Sequence, residues 1–563
     1  MRKKLVAMIM ASALLVSLSA CDAQQTDKES LSADKVENTT ETMESMSESA
    51  ETESSTTEEE IPSPEAESES QPTSSEAEKE SEPQGQSKEE MPPMAKVADF
   101  LDVSTRYHYD SAYGEASYMY GHYGTIELKN EEFPALTKAV DEFNKLNQNE
   151  AQNYLDRLEQ WAVEEYREYG ARDYRGPYVF QSDMSVRRGD TKVLSLVETC
   201  YDYAGGAHGN HYFEAMNFDV QTGEEIVLES VIKDTKQLPT ILEQELLEKY
   251  PDVNYWTDDL ANMLKEYVEP SSAEAAPQFE WTLDYEGVTF YFSDYAISSY
   301  ADGTQQVTLT YKEYPQVFHM DYFNEAGKNY VQELSDSWRG SDVDLKGDGK
   351  TDYVSVITNY NPEYGFSESF VVEVNGNRLN YDMYSYDLQT YLVKTEDKEY
   401  LYIQRTVEND YQSVSVFEIT ESSVVHKGDF AGGISSITNS LNFRLHKRMD
   451  LLSTYSAIAQ CYVGEDGMPV EYSDRYRVES ELTLTSKVAI TADLVDDNGN
   501  LKGESYTFPA STEFTLISTD GESFVDVETK DGSRCRFYAE PGWPPTVNGM
   551  EAESCFEMLY YAG

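Results

Sequence analysis

The sequence predicts an α+β fold: an antiparallel sheet with helices in the first folded domain, followed by mainly-β modules. Three observations lead there. One long stretch repeats an apolar residue about every 3.6 positions, among short Val-, Ile-, Tyr- and Phe-rich runs bounded by Gly, Asn and Asp. Tyrosine supplies 43 of the 563 residues and crowds strand-like segments, as at Tyr107, Tyr109, Tyr113, Tyr118, Tyr120 and Tyr123. No Trp, Phe or Tyr occurs between residues 22 and 95, where Glu, Ser and Thr dominate, so folding begins near Val97.

The elements follow in order. Arg2-Lys3-Lys4, the apolar run Leu5 to Val16 and then Leu18-Ser19-Ala20 form the charged, apolar and small-residue parts of a secretory leader over residues 1–20. That run is too short to span a bilayer, and no other segment reaches the 18 or so apolar residues a span needs. Leu18-Ser19-Ala20-Cys21 resembles the bacterial lipobox. The resemblance implies that Cys21 is the lipidation site and first mature residue, anchoring the chain to the outer face of the cytoplasmic membrane. Each buried methylene contributes about 0.8 kcal/mol, so two or three acyl chains give durable anchoring. Residues 21–96 read as a disordered Glu/Ser/Thr-rich tether of roughly 50 Å.

Charge excludes one class of partner. The net charge is −62, and the folded part after the tether still carries −47, so nucleic acid is not expected to bind. An acidic surface suits cationic partners: metal ions, basic proteins or the ammonium groups of wall polymers.

Residues 97–318 form the expected α+β domain. A helix is predicted from the stripe Leu136, Val140, Phe143, Tyr154, Leu158, Trp161 and Val163, closed by Gly170. Strands are predicted at 179–186, 192–201, 213–220, 281–283, 288–292 and 306–311, and shorter helices at 237–250 and 258–267. Between two strands lies Tyr203-Ala204-Gly205-Gly206-Ala207-His208-Gly209-Asn210, followed by Asn217-Phe218-Asp219 and Thr222-Gly223, then by Gly287-Val288-Thr289-Phe290 and Tyr295 to Tyr300. Together these resemble the extracytoplasmic domain of RsiV-type anti-sigma factors, where it binds lysozyme, and of PdaC-type peptidoglycan deacetylases. The resemblance spans roughly residues 100–315 and implies a binding loop at Gly205, Gly206, His208, Gly209 and Asn210. Sigma-factor inhibition does not carry over, because everything after Cys21 would lie outside. The paired aspartates and His-rich motif of a deacetylase catalytic domain are absent from the sequence. His208 has two readings: a ligand or acid–base group, with His211 as metal-sharing neighbour, or a ring that orders its own loop.

Residues 319–470 form a β-rich module with an Asp-rich loop. Asp342-Val343-Asp344-Leu345-Lys346-Gly347-Asp348-Gly349-Lys350-Thr351-Asp352 places carboxylates at alternate positions around an Asp-Gly turn, and resembles the calcium loops of FG-GAP-type β repeats. The resemblance implies calcium held by Asp344, Asp348, the Lys350 carbonyl and Asp352. Lys346 stands where that pattern has Asp or Asn, and a plain hydrogen-bonded turn is the alternative. From 370 to 419 short strands recur, with turns at Asn375-Gly376 and Glu396-Asp397. Residues 471–563 read as an SH3-like β-barrel, with strands at 482–490, 513–517, 523–527 and 535–538. Cys200, Cys461, Cys535 and Cys555 permit disulfides or buried thiols, with Cys535–Cys555 the pair to test.

The expected function is therefore a membrane-anchored lipoprotein of the cell surface, not an enzyme, whose modules bind cell-wall material or a basic secreted protein such as lysozyme. An envelope hydrolase or deacetylase-like enzyme using His208 is the first alternative, and a structural assembly factor the second.

Overall fold

The computed structural model describes residues 100–561, apart from short segments at 110–116, 129–132, 171, 272–276, 324–326, 335–339, 362–364, 408–410, 436–438, 480–481 and 543. The expectations for the leader, Cys21 and the tether lie outside the described residues. Among those described, no helix is long and apolar enough to cross a membrane.

Strands β1 (Phe100–Tyr109), β2 (Ser117–Glu127), β3 (Tyr178–Gly189), β4 (Val193–Tyr203) and β5 (Asn210–Asp219) form one sheet in that order. Its neighbours are antiparallel with one exception: β2 and β3 run parallel. The long helix α1 (Pro134–Tyr169) lies between them in the chain and returns it to the same end of the sheet, as a parallel pair requires. Pro134 starts α1, where a missing N–H costs nothing, and Gly170 stops it at φ +72°. Leu136, Val140 and Phe143 of α1 pack on Ile126, Met184, Leu196 and Phe218 of the sheet. The predicted stripe slips near its end. Trp161 is exposed, and Ala162 and Tyr166, four and eight positions after Leu158, are buried instead.

A second layer follows. Helices α2 (Leu238–Lys249) and α3 (Leu260–Val268) cover the antiparallel sheet of β6 (Glu280–Leu283), β7 (Gly287–Phe292) and β8 (Gln305–Thr310) around Leu242, Leu246, Leu264, Phe290 and Phe318. These elements lie within a residue or two of their predicted bounds. Asn217 of β5 joins the layers: its amide donates to Trp281 O at 2.9 Å and its carbonyl accepts from Leu283 N–H at 2.8 Å and from the Ser195 hydroxyl at 2.6 Å.

The rest of the chain is β. One sheet has the order β10-β11-β12-β13, with β10 Ser341–Val343, β11 Asp352–Asn361, β12 Phe366–Val374 and β13 Asn377–Tyr381. Its partner has the order β17-β16-β15-β14-β9, with β9 Tyr330–Glu333, β14 Asp387–Lys394, β15 Glu399–Thr406, β16 Gln412–Thr420 and β17 Ser423–Ala431. Val354, Phe370, Leu401 and Phe417 share the core between them. The predicted turn at Asn375-Gly376 joins β12 to β13, both residues at positive φ (48° and 81°).

A last sheet begins β18-β19-β20-β22-β26-β27-β28, with β18 Gly433–Ser435, β19 Phe443–Met449, β20 Tyr455–Val463, β22 Tyr476–Val478, β26 Glu513–Thr519, β27 Phe524–Thr529 and β28 Arg534–Glu540. Beyond β28 come β24 (Ile490–Val495) and β25 (Leu501–Phe508), while β21 (Pro469–Glu471) pairs off this path with β20 and β23 (Thr483–Thr485) with β26. Hydrogen bonding thus runs unbroken across residue 470. The predicted strand at 482–490 divides into β23 and the start of β24, because Ser486 turns aside to meet Thr512 and Phe556. The strand β25 escaped sequence reading because its side chains are exposed from Leu501 to Thr507. All four described cysteines are buried free thiols, so Cys535 and Cys555 share a core without a bond.

Where the layers meet, charge is buried. Arg187 and Asp284, each 4% exposed, pair through Nη2–Oδ2 at 2.7 Å and Nε–Oδ1 at 3.3 Å, and Arg187 Nη1 donates to Glu333 O at 3.1 Å. Removing one partner strands the other's charge, so Arg187→Met should cost about 3–5 kcal/mol in urea unfolding, and Arg187→Met with Asp284→Leu should recover most of it. Desolvation at this junction pushes the Glu333 carboxyl up to about 7. With an unfolded value near 4.5, the folded chain keeps a proton that the unfolded chain releases, so stability falls as pH rises from about 4.5 through 7. Glu333→Gln should flatten that fall, read as a wild-type-minus-variant difference in Tm that changes between pH 5 and pH 8.

Candidate functional site

The β4–β5 connection is built by glycine at two points. Gly205 sits at φ +80° against the Tyr178 ring, and a Cβ on Gly209 would strike the Tyr201 ring and Asp202 O. The Tyr203 hydroxyl lies 2.9 Å from Arg175 O and 3.2 Å from Gly206 O, tying the loop to the segment between α1 and β3.

His208 then lies exposed on aromatic neighbours. Its ring stacks on Tyr300 at 3.6 Å between centroids and 12° between planes. Nδ1 is 2.8 Å from Gly209 O, which can only accept, so Nδ1 carries the proton and Nε2 accepts from the Tyr295 hydroxyl at 3.1 Å. Tyr295 is held at φ +66°, a conformation few bulky side chains adopt, yet its ring is 47% exposed. Its carbonyl accepts from Trp256 Nε1 at 3.2 Å, and Trp256 is 54% exposed. Tyr295, His208, Tyr300 and Trp256 thus gather into one aromatic shelf from three separate segments.

Carboxylates sit behind it. Asp294 Oδ2 accepts from the backbone N–H of His211 at 2.8 Å and lies 3.3 Å from that ring's Nδ1, while its buried Oδ1 has no partner. The His211 ring lies on Tyr201, 4.8 Å between centroids. Asp202 accepts from the Tyr154 hydroxyl at 2.8 Å, and burial raises its carboxyl above the usual range. Of the predicted loop, the structure brings His208 to the shelf and uses Gly205 and Gly209 to shape the turn. His208 and His211 take different partners. Sequence reading missed Trp256 and Asp294, which lie 48 and 86 residues beyond His208 and carry no local motif.

The Asp-rich loop is built differently from its expectation. Asp344 is fully buried: Oδ1 accepts from Asp348 N–H at 3.0 Å, and Oδ2 accepts from Gly349 N–H at 2.9 Å and from Lys312 Nζ at 3.1 Å. Asp348 accepts from Lys350 N–H at 2.9 Å, and Asp352 from Asn375 Nδ2 at 2.7 Å and Leu345 N–H at 3.2 Å. Among the described residues no group of three or more His, Cys, Asp or Glu is placed to hold a metal ion. The arrangement of Asp344, Asp348, Lys350 and Asp352 does not fit a calcium cage, because Lys312 already supplies the cation. Nearby, Lys249 Nζ meets Asp342 Oδ1 at 2.5 Å, and Lys394 Nζ donates to Asp344 O at 3.0 Å and to Glu286 at 2.8 Å. Adding millimolar Ca²⁺ should therefore leave Tm unchanged, while Asp344→Asn should lower it by several degrees equally with Ca²⁺ or chelator.

The comparisons place two known domain families on this part of the chain. PdaC, described as "Deacetylase PdaC", matches residues 125–211, and DUF3298, a protein family of unknown function, matches residues 229–312. No curated protein matches the chain. A solved DUF3298-family structure from Bacteroides fragilis is 18% identical, covers 40% of this chain and 96% of its own, and superposes with a TM-score of 0.28. One from Pseudomonas aeruginosa PAO1 is 16% identical, covers 41% and 99%, and has a TM-score of 0.27. The segment similar to PdaC holds the His208 loop, and the segment similar to DUF3298 holds Trp256, Tyr295 and Tyr300.

Proposed function

We propose that this protein is a cell-envelope binding protein, anchored through lipid on Cys21 to the outer face of the cytoplasmic membrane, and that its aromatic shelf binds cell-wall glycan. The carrying observation is Tyr295, kept exposed in a strained backbone conformation beside Trp256 and His208. Aromatic faces receive the C–H faces of sugar rings. The resemblance to PdaC-type peptidoglycan deacetylases, with the family match over residues 125–211, supports an envelope polymer as the target.

A second reading, a basic secreted protein such as lysozyme as partner, is favoured by the net charge of −62, which speeds encounter with a cation. Catalysis by His208 is the less favoured use of the site. Both ring nitrogens already have partners, in Gly209 O and the Tyr295 hydroxyl, and among the described residues no serine, threonine or cysteine hydrogen-bonds either of them.

Sedimentation of the mature chain with insoluble peptidoglycan tests this. Tyr295→Ala and Trp256→Ala should each weaken retention about tenfold with unchanged circular dichroism, as loss of a stacking face implies. Retention equal to wild type would sink the glycan reading. Capture of lysozyme that survives both substitutions and disappears with salt would favour the second.

A further inference from the structure

The two sheets of the β-rich sandwich are joined by a crossing segment, Tyr384 to Tyr386, which carries the chain from β13 to β14. Its backbone is held on both sides. Ser385 exchanges N–H···O=C bonds with Ser367 at the start of β12, both at 2.8 Å, and Tyr386 N–H donates to Thr406 O at the end of β15 at 2.9 Å. The crossing gathers three aromatic rings. Phe366 meets Tyr384 at 5.8 Å between centroids and 63° between planes, and Tyr386 at 6.1 Å and 85°, both edge to face. Tyr384 is 38% exposed and Tyr386 50%, so this aromatic group opens to solvent.

The half-buried Arg405 of β15 reaches the same crossing. Its Nη1, at an exposed position, donates to Tyr384 O across a long 3.4 Å, while its Nε is buried without a partner. Among the described residues no carboxylate lies within ion-pairing distance of Arg405, in a chain with 105 acidic side chains against 43 basic ones. Asp387, the acid that follows the crossing, has Asp183 and His122 as its charged neighbours. Opposite Arg405 on the adjoining strands stand Leu388 and Ser413, neither of which carries charge. A guanidinium offers five donors in a planar fork, and one drawn partly out of water without an anion is costly. An anion arriving at its exposed edge would offset that cost.

We propose that this crossing is a second binding site, which takes a carboxylate-bearing sugar, its pyranose ring against Tyr384 and Tyr386 and its carboxylate on the exposed edge of the Arg405 guanidinium. A guanidinium fork matches a carboxylate in two parallel hydrogen bonds, and exposed tyrosine rings receive the C–H face of a pyranose. A polypeptide fits less well, because Ser385 and Tyr386 already spend backbone groups on β12 and β15 and offer no strand edge. The net charge of −62 repels anions from afar, but salt screens that field beyond about 8 Å, and the Arg405 contact is made inside that distance. Nothing in this site depends on the aromatic shelf.

The probes are methyl β-glucuronide and methyl β-glucoside, which differ only in the carboxylate at C6, titrated onto the full mature chain and followed by saturation-transfer NMR. The glucuronide should bind about tenfold tighter, as a charge-assisted fork implies. Arg405→Gln should abolish that preference with unchanged circular dichroism, and Arg405→Lys should keep part of it. Tyr386→Ala, a change at an exposed ring, should weaken both sugars about fivefold. Equal affinity for the two sugars, no binding of the glucuronide at tens of millimolar, a preference that survives Arg405→Gln, wild-type affinity in Tyr386→Ala, or propionate binding as tightly as the glucuronide would each overturn the proposal.

Discussion

The buried pairing of Arg187 with Asp284 is the constraint around which the first half of the chain is arranged. Arg187 lies in β3, at the centre of the first sheet, and Asp284 follows β6 in the second layer. A guanidinium removed from water needs every donor answered, and it finds them on Asp284 and on the Glu333 carbonyl of β9. One side chain therefore fixes the first sheet, the second layer and the beginning of the β-rich part in a single geometry. Arg188 beside it is fully buried and extends the tie to Asp190, Asp284 O and Tyr322 O.

The same logic recurs one step along the chain. Asp342 and Asp344 meet Lys249 and Lys312, and Glu286 meets Lys394, so the acidic loop serves as the socket for lysines of the preceding layer. Gly349 is required there by contact, since a Cβ would press on Lys312 and the Glu313 N–H. A run of aspartates is thus compatible with two chemistries. Which one operates depends on whether a lysine from elsewhere in the chain reaches the carboxylates first.

The aromatic shelf depends on this rigidity. His208 comes from the β4–β5 hairpin, whereas Tyr295 and Tyr300 come from the segment after β7, so their contact holds only while the two layers are locked. Asn217, answered by Ser195, Trp281 and Leu283, supplies the lock nearest the shelf.

The sequence by itself determined the α+β beginning, the bounds of most strands before residue 311, and the glycine-shaped loop at 205–209, because periodicity, turn chemistry and positive φ are local properties. It also placed the Asn375-Gly376 hairpin. Only the tertiary structure decided the parallel pairing of β2 with β3, the burial of Ala162 in place of Trp161, the exposed strand β25, and the meeting of Trp256, Tyr295 and Asp294 with His208 and His211. It likewise gave the Asp-rich loop its lysines. Each of these depends on which distant segment arrives alongside, and a hydrogen bond or ion pair between residues 32 to 97 positions apart leaves no periodic trace in the chain.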